Sequence, residues 1–159
     1  MDTGDNGKSL AFLLTAGKFK YLNCGDLTWN FEHKLVCPKN RIGKVDLFQV
    51  THHGSDLSNN PALVQAIQPT CAVMVNGPHK GGSPKTVATL KATPSLQGFY
   101  QLHRNLDSTA ADNAPADHIA NLEEKCKGEF IRVRLNPQGT EYALSIGANT
   151  PKQTFKVQQ

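Results

Sequence analysis

The sequence predicts an α/β fold. Short apolar runs of strand length recur from residue 9 to residue 146. Those in the middle of the chain alternate with helical segments that carry cap-and-proline starts and proline stops. No apolar stretch is long enough to cross a bilayer, and no internal repeat appears. The elements read β-β-α-β-α-β-α-β and then a hairpin. They form one domain over residues 1–150, with a peripheral tail at 151–159.

The run from Ser9 to Ala16 stops at Gly17, and a second run from Phe19 to Asn23 ends at Cys24-Gly25-Asp26. Two such runs around Gly17-Lys18 predict a hairpin buried on at least one face. Thr28 is placed to cap a helix containing Trp29, Phe31 and Leu35, which Pro38 ends. Val45 to Val50 predicts a strand that runs into Thr51-His52-His53-Gly54-Ser55. Asn60 and Pro61 then mark a helix start, Leu63 and Ile67 share its apolar face, and Pro69 closes it. Cys71 to Val75 is a buried strand ending in Asn76-Gly77-Pro78. Ser83-Pro84 starts a helix with Val87 and Leu90 on one side, and Pro94 stops it. Phe99 to Leu102 reads as a strand and residues 104–117 as a polar loop. Phe130 to Leu135 and Tyr142 to Ile146 are the strands of a late hairpin around Pro137-Gln138-Gly139.

Composition narrows the function classes. Hydrophobic residues make up 38% and charged residues 19%, the balance of a chain that folds rather than one that stays disordered. The net charge of +4 is scattered over pairs such as Lys18 and Lys20 or Arg132 and Arg134. No block of like charge marks a nucleic-acid arm, so a nucleic-acid partner has only weak support. Cys24, Cys37, Cys71 and Cys126 form no C-x-x-C, which excludes zinc-knuckle and thioredoxin-type sites and leaves buried thiols. The opening Met1 to Lys8 is polar and carries no apolar signal core, so the compartment is not readable. Gly4 to Ser9 imitates a phosphate loop, but the position five before Gly7 is Asp2, and a strand follows where a helix is required. No G-x-S-x-G elbow is present, and Cys24 has no assignable base.

What remains is polar chemistry at strand ends. Asp26 follows one strand, where it either caps the next helix or belongs to a site. His52 and His53 follow another strand. On an extended segment their side chains would point to opposite faces, so one of them would face a site. Asn76 and His79 follow a third. Ligands of open α/β sheets bind outside the carboxyl ends of strands, so three such ends in one register predict a site. His33, His103 and His118 read as surface residues.

These residues carry a family resemblance. Ser9-Leu10 with its apolar run, then Leu22 to Trp29 with Glu32 and Leu35, resembles the "GD" stretch of metallo-β-lactamase-fold hydrolases. Thr51-His52-His53-Gly54-Ser55 resembles the "HHGS" of the branch found in competence (DNA-uptake) proteins. Gln68-Pro69, Cys71 to Val75, Ser83-Pro84 and Ile119-Ala120-Asn121-Leu122 continue the pattern. The resemblance implies the C-terminal half of an αββα sandwich and a metal-dependent hydrolase. The substrate would be a small molecule or ester-type compound, or an amide or phosphodiester. It implies two zinc ions in the complete fold, with Asp26, one of His52 and His53, and His79 as candidate ligands, and Asp26 with His53 as the catalytic pair.

The chain departs from the family in one respect. No two of its six histidines are spaced i, i+2, so the family's H-x-H-x-D-H is missing. The sequence therefore reads as a fragment that binds zinc weakly and is inactive alone. The alternative is a non-catalytic α/β binding or assembly module. With half of a sandwich missing, residues such as Leu13, Phe48 and Val73 are expected on an exposed sheet face, giving self-association.

Overall fold

A computed structural model describes residues 4–148 and 152–158. The domain boundary expected at 150/151 and the first three residues of the polar N-terminus lie outside them.

Six strands form one mixed sheet in the order β1-β2-β3-β4-β5-β6. They are β1 (Phe12–Ala16), β2 (Phe19–Asn23), β3 (Leu47–Gln49), β4 (Cys71–Met74), β5 (Gly98–His103) and β6 (Ile119–Asn121). β1 and β2 make the expected antiparallel hairpin, and each later neighbour pairs in parallel. Parallel neighbours need crossovers. Helices α1 (Trp29–Val36), α2 (Pro61–Ile67) and α3 (Pro84–Lys91) supply the first three, and the segment 104–118 supplies the last. A separate antiparallel sheet follows the order β7-β8-β9, with β7 (Ile131–Leu135), β8 (Glu141–Ile146) and β9 (Gln153–Lys156).

Three layers result. On one face of the large sheet, Leu22, Phe48, Ala72 and Met74 pack against Leu63, Val64 and Ile67 of α2 and Val87 and Leu90 of α3. On the other, Phe19, Leu47, Cys71 and Tyr100 pack against Tyr142, Leu144 and Phe155 of the small sheet. Successive residues of a strand serve opposite faces, which is why Leu47 and Phe48 belong to different cores. Parallel strands covered on both sides are apolar throughout, as β4 is.

The helix starts follow the sequence unevenly. Asn60 caps α2 as expected, its Oδ1 accepting from the Ala62 amide at 2.9 Å. Thr28 stands at the N-cap of α1 but makes no side-chain cap bond, and its buried hydroxyl has no partner among the described residues. The last turn of α2 closes on Gln68 in the left-handed region.

Several expectations are corrected. β1 is exposed at four of its five residues, on both faces, rather than half-buried. Phe48 is fully buried against the helices, and Val73 is half-buried under the small sheet. Of the trio expected on an open face, Leu13 alone stays exposed. β6 was not foreseen as a strand. The segment expected as a peripheral tail carries β9 within its described residues 152–158: Gln153–Lys156 pairs with β8, and Phe155 is 4% exposed. Gln158 then bonds to Asp46, Val45, Gln68 and Thr70. No helix among the described residues is long and apolar enough to cross a membrane.

Candidate functional site

Three loops at the carboxyl ends of β2, β3 and β4 are laced together by backbone hydrogen bonds. His52 N donates to Gly25 O at 2.9 Å, joining the third loop residue after β3 to the turn after β2. Gly82 N donates to His53 O at 2.9 Å and Ser83 N to Gly54 O at 2.8 Å, joining the same segment to the turn before α3. The glycines are required here. A Cβ on Gly81 would overlap the His53 carbonyl, and one on Gly54 would overlap Met74. Both glycines also hold positive φ.

Asp26 sits in the first of these loops. Its amide donates to Ser9 Oγ at 3.1 Å, and the Gly25 amide donates to Asn23 Oδ1 at 2.8 Å. Its carboxylate does not cap α1. Among the described residues the nearest cationic or imidazole nitrogen is His53 Nε2, 4.0 Å from Oδ1, with both side chains a third or more exposed.

The histidine pair does not lie on an extended segment. Residues Thr51–Gly54 form a tight turn in which His52 (φ 53°, ψ 45°) and His53 (φ 55°, ψ 19°) are both left-handed. Non-glycine residues pay a steric cost in that region, so the surroundings must hold the turn. Asn59 does this from within the core. Its Oδ1 accepts from Thr51 N at 2.9 Å, and its Nδ2 donates to Thr51 O at 3.0 Å and Ser55 O at 3.2 Å.

The two rings lie edge to face, centroids 6.3 Å apart, but their Nδ1 atoms have different partners. His52 Nδ1 meets Ser58 Oγ at 3.1 Å. His53 Nδ1 meets the Val75 carbonyl at 2.7 Å. A carbonyl only accepts, so this Nδ1 carries the proton, and in the neutral ring the lone pair lies on Nε2, the atom nearest Asp26. The third candidate, His79, is engaged elsewhere. Its Nδ1 donates to Asp107 at 2.8 Å, and its Nε2 lies 3.7 Å from Glu124. The Asp107 carboxylate holds this exposed ring above its ordinary pKa. Asp26 and His53 are thus brought together, while His52 and His79 face other partners. Among the described residues no group of three or more His, Cys, Asp or Glu side chains converges as a metal centre would require.

A supporting shell surrounds these loops, built by Glu32 and Asn76, which the sequence singles out, and by Asn59, Asn105 and Asn113, which it does not. Glu32 is fully buried, its two oxygens accepting from Asn59 N at 2.9 Å and Asn60 N at 2.7 Å. Burial pushes its carboxyl up against these bonds, which pull the other way. Asn76, 3% exposed, ties the end of β4 to His103 O at 2.7 Å. Asn105 donates to Gly82 O at 2.9 Å, and Asn113 accepts from Asn105 N at 2.8 Å. The segment read as a polar loop is therefore an internal brace for the glycine turn. Asn and Gln side chains at such spacing carry no periodic signal. Burial pushes the Cys24 thiol up to about 12, as suits a structural cysteine rather than a nucleophile.

No family model matches the chain. A stretch of 73 residues, 46% of the chain, is 33% identical to "Recombination protein 2" of Haemophilus influenzae. That stretch spans 9% of the length of that protein, so the likeness is to a small part of it.

Proposed function

We propose that the chain carries part of the active centre of a metal-dependent hydrolase of the metallo-β-lactamase type, with Asp26 and His53 as ligands. The observation that supports this most is the approach of Asp26 Oδ1 to His53 Nε2 at 4.0 Å, with the other ring nitrogen anchored on Val75 O. A histidine that ligates through one nitrogen usually donates its other N–H to a carbonyl or carboxylate, which fixes the ring. Two ligands on one tetrahedral zinc stand about 3.4 Å apart, given bonds of roughly 2.1 Å. The observed gap is within a small side-chain adjustment of that.

The donor set fits in part. A catalytic zinc usually takes three protein ligands, and this pair supplies two. A zinc ion held here would lower the pKa of a bound water toward neutrality. The chain's own contribution is positional. Asn59 holds the left-handed turn, Val75 O sets the His53 tautomer, and Ser9 and Asn23 fix the Gly25-Asp26 turn. The remaining ligands would come from residues in the manner of the family's H-x-H-x-D-H, which the 159 residues lack. The likeness to part of Recombination protein 2 agrees with the competence-protein branch of that family.

A second reading, a binding or assembly module that keeps the fold without the metals, is favoured by the lack of any three-ligand group among the described residues. Calorimetric titration of the whole chain with zinc separates the two. The hydrolase reading expects weak binding that Asp26→Asn and His53→Ala each weaken further, with little turnover of bis(p-nitrophenyl) phosphate or p-nitrophenyl acetate. Zinc binding indifferent to both substitutions would sink it, and no binding at all would favour the module. Submicromolar binding with robust turnover would instead show that the chain needs no further ligands.

A further inference from the structure

The sandwich is closed on one side and open on the other. β1 is the outer strand of the large sheet and β7 of the small one, and both border one apolar groove of about 600 Å³. Leu14, Tyr21 and Val75 line its floor, and Ile131, Val133 and Leu135 line its wall. In the small sheet β8 is central, so among the described residues β7 has a strand partner on one side only. An unpaired edge beside an apolar groove is a template for an added strand.

We propose that this groove is a docking site for an extended polypeptide segment that pairs with the free edge of β7. That segment would be apolar at alternate residues and acidic at those between. The alternation of β7 dictates this chemistry. Ile131, Val133 and Leu135 point into the groove, so Arg132 and Arg134 lie on the opposite, outward face. Opposite these arginines on β8 stand Ser145 and Ala143, and among the described residues neither guanidinium has a carboxylate partner. Arg132 rests instead over the Phe130 ring, 4.9 Å from its centroid. A strand laid along β7 places one set of side chains in the groove and the other beside the arginines. Opposite charges at such cross-strand positions attract and like charges repel.

The same rule argues against a second copy pairing through β7, since arginine would face arginine. A nucleic acid would meet the arginines but leave the apolar groove unfilled. The groove is lined by neither Asp26 nor His53, so its test reads a different part of the molecule.

The test uses two capped seven-residue peptides with valine at odd positions, one with glutamate and one with lysine at even positions. Each is titrated into the whole isotope-labelled chain while backbone amide shifts are followed. The glutamate peptide should perturb residues 130–135 and bind about tenfold more tightly than the lysine peptide, the swing expected for two cross-strand charge pairs. In the double variant Arg132→Glu, Arg134→Glu the preference should reverse. If that variant does not fold, Arg132→Gln, Arg134→Gln should abolish the preference. Equal affinities, shifts centred away from β7, or a preference untouched by the substitutions would overturn the proposal. So would displacement of the peptide from β7 by a single-stranded oligonucleotide, or a dimer joined through β7 that the glutamate peptide does not dissociate.

Discussion

The imidazole of His53 donates from Nδ1 to the carbonyl oxygen of Val75 at 2.7 Å, so a residue at the end of β4 sets the tautomer of a residue that follows β3. His52, next in the chain, has its own Nδ1 on Ser58 instead. The sequence offers two equivalent histidines, and the fold distinguishes them.

That distinction makes the first prediction. His53→Ala should weaken zinc binding by the whole chain at least about tenfold, the lower end of what even supporting residues contribute around a metal. His52→Ala should leave the affinity unchanged within error. Competition with a chromogenic chelator measures both. An equal loss in the two variants would mean that the rings, 6.3 Å apart between centroids, share one site in spite of their separate Nδ1 partners.

How far the sequence reveals this architecture differs by element. Asn60-Pro61 announces α2 because a cap and a fixed φ act locally, and the structure has the Asn60 bond where expected. The three strand ends that gather Asp26, His53 and the Gly81-Gly82 turn were legible for the same reason, since each follows an apolar run. The turn at Thr51–Gly54 was not legible. Its left-handed residues are held by Asn59 and Gly25, and no local preference would place histidines there. Nor was β9, because a strand of Gln-Thr-Phe-Lys is recognisable only once Tyr142 lies beside Phe155. His79 stands apart from the Asp26–His53 pair, its Nδ1 on Asp107, 28 residues on, a pairing no local sequence signal announces.

Asn59→Ala should destabilise the fold by about 3 kcal/mol, since it leaves the buried Thr51 amide without an acceptor and keeps a Cβ in the left-handed region. Urea unfolding measures the total. Asn59→Gly relieves the strain but not the lost bonds, and should recover only a small part. Full recovery with glycine would mean that the hydrogen bonds contribute nothing.

Glu32 gives the fold a pH dependence. Burial raises its folded-state pKa above the ordinary 4.5. A group raised on folding contributes stability that is present below its unfolded pKa and lost as pH rises through the folded one. The stability gap between the native chain and Glu32→Gln should therefore narrow as pH increases from about 4.5 upward and then level off. Glutamine also turns an amide donor toward the Asn59 or Asn60 N–H, so the variant should be weaker by about 1–3 kcal/mol where the gap is widest. Unfolding curves at stepped pH test the sign, and a gap that widens with pH would contradict it.

Thiol reactivity should separate the cysteines. Cys24 and Cys71 are buried, and burial pushes both thiols up to about 12. Cys126 is exposed. The thiolate is the reactive form, so iodoacetamide at pH 8 should label Cys126 in the folded chain, and Cys24 and Cys71 only after denaturation. Peptide mass mapping reads the pattern. Rapid native labelling of Cys24 would reopen it as a nucleophile.

The glycine turn and the candidate site are one mechanical unit, and Gly81 is the residue that shows it. It holds φ +74°, and a Cβ there would run into the His53 carbonyl, which accepts from Gly82 N. A backbone carbonyl cannot swing aside as a side-chain end can, so Gly81→Ala must push the His53 turn away or distort its own loop. The expected cost is about 2 kcal/mol or more, together with weaker zinc binding, since the His53 ring would leave Val75 O. Gly77→Ala is the matched control in the same loop: its φ is not positive, and the new Cβ would come only to 3.4 Å from the Lys80 Cβ. Stability and zinc affinity near those of the native chain are expected for Gly77→Ala, and losses in both for Gly81→Ala. If Gly81→Ala lowered stability but left zinc affinity intact, the turn would be a folding device without a hold on His53.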